Sequence, residues 1–120
     1  MTNTEVVLNF IQAWNNMDWA AVEDAFTEDV VYHNIPMEPI HGKAAAAAVG
    51  PAMGPREVDW QTLHIAENGN VLLTERIDNF IMSNGKGLSI PVMGTFEIEE
   101  GKIKAWRDYF DLATFTSQMA

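Results

Sequence analysis

The chain has no cysteine, only 7 lysines and arginines among its 120 residues, and few prolines. Each scarcity excludes something. Without cysteine there is no disulfide, no thiolate nucleophile and no thiolate metal site, and a reducing, cytoplasmic home is the simplest reading. Seventeen acids against 7 basic residues give a formal net charge of −10, spread without a block. A nucleic-acid partner needs a basic stripe, and there is none. The charge serves solubility and leaves a neutral small molecule as an easier ligand than an anion. No stretch approaches the roughly 20 uninterrupted apolar residues of a membrane span. The opening Met1-Thr2-Asn3-Thr4-Glu5 lacks the basic and apolar regions of a signal peptide, so no membrane association is expected. Also missing are a phosphate-cradling glycine loop, a nucleophile elbow and a dinucleotide fingerprint.

What is present is globular composition, 48% hydrophobic and 20% charged, in a length that makes residues 1–120 one domain. Thr2 to Glu5 matches a capping box, and Val7, Phe10, Ile11 and Trp14 follow at helical spacing, so a first helix is predicted from about Thr4 to Asn15. Asp18 can cap a short second helix lined by Trp19, Val22, Ala25 and Phe26, with Thr27-Glu28-Asp29 as its end. Val30 to Asn34 reads as a strand, and Pro36 and Pro39 force an extended loop after it. Ala44 to Val49 is a strong helix former stopped by Gly50-Pro51, with an irregular stretch to Pro55.

Four strand-like runs follow: Glu57 to Ala66, Val71 to Met82, Leu88 to Ile98 and Lys102 to Phe110. Asn68-Gly69, Asn84-Gly85 and Glu100-Gly101 mark the hairpins between them, so they should pair as an antiparallel meander. The tail from Ala113 to Ala120 reads either as a last helical turn or as frayed. This order is α+β, with helices packed on one face of a curved sheet and a cone-shaped pocket between the layers.

Side-chain alternation sorts the chemistry. Leu72, Thr74, Arg76, Asp78, Phe80 and Met82 share one face of their strand; Trp106, Asp108 and Phe110 share one face of theirs. Large apolar neighbours flank both acids, which marks Asp78 and Asp108 as buried and leaves Glu75 and Asp111 as surface groups. Leu73, Ile77 and Ile81 are apolar too, so burial of the opposite face stays open at this point. Arg76 and Asp78, about 6.6 Å apart along a strand, could form a plain salt bridge. Adding Asp108 places one cation between two carboxylates, a pair that titrates together with one member held protonated near neutral pH. A carboxylic acid beside a carboxylate is what general acid-base catalysis requires. Tyr32 and Asn34 repeat the two-residue spacing, and a water could use both. The histidines His33, His41 and His64 are scattered, so no metal site is expected.

Three motifs carry a resemblance to a known family: Tyr32-His33-Asn34-Ile35-Pro36-Met37, Glu75-Arg76-Ile77-Asp78, and Gly101-Lys102-Ile103-Lys104-Ala105-Trp106-Arg107-Asp108-Tyr109-Phe110-Asp111-Leu112. In order and across nearly the whole chain, they resemble limonene-1,2-epoxide hydrolase and its relatives. The resemblance implies a cone fold of the nuclear-transport-factor-two type: a curved mixed sheet with three to four helices on its concave side, enclosing one apolar pocket. It also implies a homodimer that adds water to a small apolar epoxide in one step, without cofactor, metal or covalent intermediate. By motif, Asp108 would be the general base on a water held also by Tyr32 and Asn34. Asp78 would be the general acid, Arg76 the bridge between the carboxylates, and Trp106 a support for the acid on its own strand. Trp106, Met37, Ile90, Val92 and Phe110 would line the substrate pocket. The run Ala44 to Ala48 replaces a more mixed helix of the family, which puts pocket shape in question. The rivals are a ketosteroid-isomerase-like or polyketide-cyclase-like enzyme, against which Arg76 counts, and a non-catalytic binding module of the same fold, which would leave Asp78 and Asp108 exposed or far apart.

Overall fold

A computed structural model describes residues 1–120. Its first helix, α1 (Asn3–Asn15), begins at the expected capping box: Thr2 Oγ1 accepts from the Glu5 amide, and Glu5 Oε1 accepts from the Thr2 amide. Val6, Val7, Phe10, Ile11, Ala13 and Trp14 form its buried stripe. Asp18 caps α2 (Trp19–Asp24), as expected.

The second helix ends earlier than its apolar spacing suggests. Strand β1 (Phe26–Asn34) takes in Phe26 and the polar Thr27-Glu28-Asp29. Tertiary pairing overrides the local signal here: Phe26 lies opposite Ile103, and the Ile103 amide donates to Ala25 O at 2.8 Å. The extended loop after β1 contains a two-residue strand, β2 (Ile40–His41). Beyond α3 (Lys43–Ala47), Gly50-Pro51 does not stop the helical path, because a new short helix, α4 (Val49–Met53), incorporates both. Pro51 falls in its first turn, where an amide has no helical partner and the ring is tolerated. Gly50 packs against Trp19, whose ring would lie only 2.4 Å from an added Cβ.

The meander forms as expected from β3 (Pro55–Asn68), β4 (Val71–Met82), β5 (Gly87–Glu99) and β6 (Lys102–Tyr109). The six strands run in the order β2-β1-β6-β5-β4-β3, all neighbours antiparallel except β1 and β6, so the sheet is mixed. The parallel contact sets Tyr32 beside Trp106 and Asn34 beside Asp108. The tail is a helix, α5 (Leu112–Met119), capped by Asp111, whose carboxylate accepts from the Thr114 amide and hydroxyl.

Burial settles which face of β4 points inward: Leu72, Thr74, Arg76, Asp78, Phe80 and Met82 are buried, whereas Leu73 is 47% exposed. Helix α1 is pinned to the edge of the sheet by Asn15, whose amide accepts from the Trp60 amide and donates to the Trp60 carbonyl. This satisfies backbone groups of an otherwise open edge strand. An aromatic cluster fills the space between the layers: Trp14 stacks on Trp60 at 4.4 Å, and Phe10 and Phe96 pack on Trp106 at 5.0 and 5.5 Å.

Candidate active site

Arg76, Asp78 and Asp108 meet on the inner face of the sheet and are 0%, 5% and 3% exposed. An arginine presents five N–H groups in a planar fork, and here each has an acceptor. Nε donates to Asp78 Oδ1 at 3.0 Å, and Nη2 to Asp78 Oδ2 and Asp108 Oδ2 at 2.8 Å each. Nη1 donates to Thr74 Oγ1 at 3.0 Å and Asp108 Oδ1 at 3.2 Å. The guanidinium also lies 5.0 Å from the centre of the Trp60 ring, a cation–π contact in a site away from water. Asp108 takes a further bond from the Trp106 indole, Nε1 to Oδ1 at 2.8 Å.

A buried cation with two buried carboxylates carries a net negative charge when both acids are ionised, an arrangement that low dielectric penalises. A proton relieves it. Burial, the largest influence, raises the pKa of Asp78 from 3.8 to about 6; Arg76 opposes this and Asp108 reinforces it. Burial works against the Arg76 charge, but Asp108 and Asp78 outweigh it and hold the guanidinium protonated. Tyr32 is buried, and burial followed by the nearby Asp108 pushes its phenol pKa well up, so it stays a neutral hydroxyl. Its ring lies flat on Trp106, 4.0 Å away at an interplanar angle of 3°. Its hydroxyl donates to Asn34 Oδ1 at 3.4 Å.

A cavity of about 220 Å³ opens on this cluster, with 11 hydrophobic residues among the 14 that line it. Asp78, Asp108, Tyr32 and Asn34 supply its polar corner, and Met37, Ile90, Val92 and Phe110 lie in its wall. Trp106, expected in the wall, lies behind it. Its ring is fully buried between Tyr32 and the core aromatics, and only its N–H serves the site, through Asp108. Arg76 likewise stays behind the two carboxylates. The wall also includes residues that sequence reasoning did not single out: Trp14 of α1, Val49 and Met53 of α4, Trp60, Phe80 and Phe115 of α5. Phe80 shares the face of Arg76 and Asp78, so side-chain alternation alone could have found it.

A cone of this topology with a polar corner inside an apolar cavity is the nuclear-transport-factor-two-like class. A solved structure of an NTF2-like protein of unknown function from Cytophaga hutchinsonii ATCC 33406 superposes with a TM-score of 0.81 at 24% identity, over 97% of this chain and 96% of that one. Within that class, a profile of the limonene-1,2-epoxide hydrolase catalytic domain matches residues 1–120, and the chain belongs to that family of hydrolases acting on epoxides. The chain is 35% identical over 104 residues to epoxide hydrolase EphG of Mycobacterium tuberculosis (strain ATCC 25618 / H37Rv), covering 86% of this chain and 69% of that protein. It is also similar to the solved structure of an M. tuberculosis LEH-like epoxide hydrolase, with a TM-score of 0.86 and 31% identity over 97% of this chain and 87% of that one.

Proposed function

We propose that the protein adds water directly to a small, apolar, terpene-like or cyclic epoxide and releases a vicinal diol, in one push-pull step. The observation that carries this reading is Arg76 held between Asp78 and Asp108 while both carboxylates face the cavity. Asp108 is the base. Two of its three hydrogen bonds come from Arg76 and one from Trp106, which keep it oriented toward a water in the polar corner. That water gives one proton to Asp108 and the other, as a hydrogen bond, to the Tyr32 oxygen. Tyr32 donates its own hydrogen bond to Asn34 Oδ1, which leaves one N–H of the Asn34 side-chain amide to donate to the water oxygen.

The remaining lone pair of the water attacks an epoxide carbon. As the C–O bond of the strained ring breaks, the oxygen takes the proton of Asp78, so no free alkoxide forms. Afterwards Asp108 holds a proton and Asp78 has lost one; exchange with solvent across the Arg76 bridge restores the starting state. Neither a covalent ester nor a cofactor enters these steps. A cavity of about 220 Å³ is smaller than the roughly 300–1,000 Å³ of drug-sized sites, which favours a compact epoxide.

Leu73, Met93 and Tyr109 lie 47–52% exposed on the outer face of neighbouring strands, a surface suited to pairing with a second copy. We take the working form to be a homodimer, which sedimentation equilibrium tests. No helix is long and apolar enough to cross a membrane. The absence of cysteine favours a cytoplasmic location.

The mechanism is tested by single turnover of cyclohexene oxide in ¹⁸O-labelled water. Label in the first diol formed supports direct addition; unlabelled diol, with the label left in a carboxylate of the protein, means an ester intermediate and sinks the proposal. Asp108→Asn is expected to lower kcat by about 10²–10⁴, and wild-type activity in that variant removes Asp108 from the role of base.

A further inference from the structure

Arg76 projects from β4, yet it binds Asp108 on β6, with all of β5 between them. Two strand spacings are about 9.5 Å, so the guanidinium must pass over the surface of β5 to reach its second acid. The β5 residue at that crossing is Gly94, directly opposite Thr74 on β4 and Asp108 on β6. A Cβ on Gly94 would lie 2.4 Å from Arg76 Nη1, 2.7 Å from Asp108 Oδ1 and 2.8 Å from Thr74 Oγ1. No real Cβ sits that close to such atoms, so a side chain here must displace the bridge.

Backbone geometry does not account for this glycine. The glycines with positive φ are 42, 54, 69, 85 and 101, and Gly94 is not among them. A glycine in the interior of a long strand weakens it unless another group must approach closely. Thr74 completes the arrangement. It is 1% exposed, and its hydroxyl takes the one N–H of Arg76 that neither carboxylate accepts.

We propose that Gly94 and Thr74 are positioning residues of the reaction: Gly94 leaves the lane through which Arg76 crosses β5, and Thr74 fixes the turn of the guanidinium that holds both acids at once. Neither residue lines the cavity. Both act through Arg76 on the protonation of the pair. The titratable and charged groups facing that pair are Arg76 and the two acids themselves, from β4 and β6, and Tyr32 from β1. This inference rests on the acid–base reading above, so its test has one arm that does not need activity.

Carboxyl ¹³C NMR titration follows Asp78 in the wild type, Gly94→Ala, Thr74→Ala and Thr74→Ser; kcat and KM are measured on cyclohexene oxide in parallel. Arg76 lowers the Asp78 pKa, so moving it away should shift the Asp78 titration to higher pH in Gly94→Ala and, by less, in Thr74→Ala. A displacement near 1 Å predicts a fall of about a hundredfold in kcat for Gly94→Ala, with KM within about twofold. Loss of one hydrogen bond to a charged group predicts about tenfold for Thr74→Ala, and Thr74→Ser should restore the wild-type titration.

Wild-type titrations in both alanine variants overturn the proposal. So does lost activity with unmoved titrations, which would make these residues merely structural. Should Gly94→Ala fail to fold by near-ultraviolet circular dichroism, the two Thr74 variants decide alone. If the wild type hydrolyses no epoxide, the reading of the reaction fails while the titrations still judge the positioning.

Discussion

Protonating Asp78 should stabilise the fold, and the amount can be worked out. Its folded pKa of about 6 lies above its ordinary 3.8, so the native state favours the neutral acid. That contribution is fully present below about pH 4 and is lost as pH rises through 6. At about 1.4 kcal/mol per pH unit, the interval between 3.8 and about 6 corresponds to about 3 kcal/mol. Against a total of roughly 5–15 kcal/mol for a domain, this is large enough to measure. Other carboxylates act in the opposite sense. The Glu5 and Asp111 pKa values are lowered by hydrogen bonds from Thr2 and Thr114, so their contributions appear above their unfolded values and vanish on acidification. Comparison with Asp78→Asn, which cannot titrate at this position, cancels them. Urea unfolding of both proteins from pH 4 to 8 should show the wild type losing roughly 2 kcal/mol relative to the variant between pH 4 and 7, the part of that total lying in this window. A difference that stays constant, or moves in favour of the wild type as pH rises, would refute the argument that burial raises the pKa of this acid.

Three further outcomes follow from particular contacts. Tyr32→Phe keeps the stacked ring on Trp106 but loses the hydroxyl, so thermal stability should stay within about 1 kcal/mol while kcat falls about tenfold. Equal rates for the two proteins would exclude the hydroxyl from holding water. Gln118 of α5 accepts from the Ser89 amide at 2.6 Å and donates to its carbonyl at 3.0 Å, at a stretch of β5 that β6 does not reach. In Gln118→Ala, amide hydrogen exchange in α5 should quicken and KM should rise as Phe115 loosens from the cavity wall; unchanged exchange means that the helix is held elsewhere. Gly50→Ala drives a methyl into the Trp19 ring and should lower stability by about 1–3 kcal/mol in chemical denaturation. A neutral result would show that α4 shifts without cost.

Arg76 and Asp78 were legible together because a strand's alternation is strict: Arg76, Asp78 and Phe80 fall on one face of β4 and are buried together, as Trp106 and Asp108 are on β6. What sequence could not resolve was which face turned inward, since Leu73, Ile77 and Ile81 make the other face plausible as well. That choice belongs to the whole sheet. The start of β1 was hidden because Thr27-Glu28-Asp29 has the composition of a helix end, and only Ile103, far along the chain, makes it a strand. The cavity wall was only half visible. Trp14, Met53 and Phe115 sit at apolar helical positions, and nothing local separates a side chain that packs in the core from one that borders an empty space. Trp106 shows the converse error: a large aromatic beside an acid looked like wall, but the flat stack with Tyr32 places it one layer deeper.

The parallel seam between β1 and β6 also governs how the molecule comes to exist. Arg76 and Asp78 are neighbours on one strand and can pair as soon as the β3–β4 hairpin closes, and Asp108 follows with the β5–β6 hairpin, while Tyr32 and Asn34 on β1 must wait for the first and last strands to join. Joining the first strand to the last is a long-range closure, which slows folding relative to local pairing. Until it happens, Asp108 lacks Tyr32 and Asn34 beside it, and Trp106 lacks the ring stacked on its open face. Catalytic competence and final compaction should therefore arrive in a single late event, so that a refolding chain gains activity with the same rate constant at which its tryptophans become shielded from solvent.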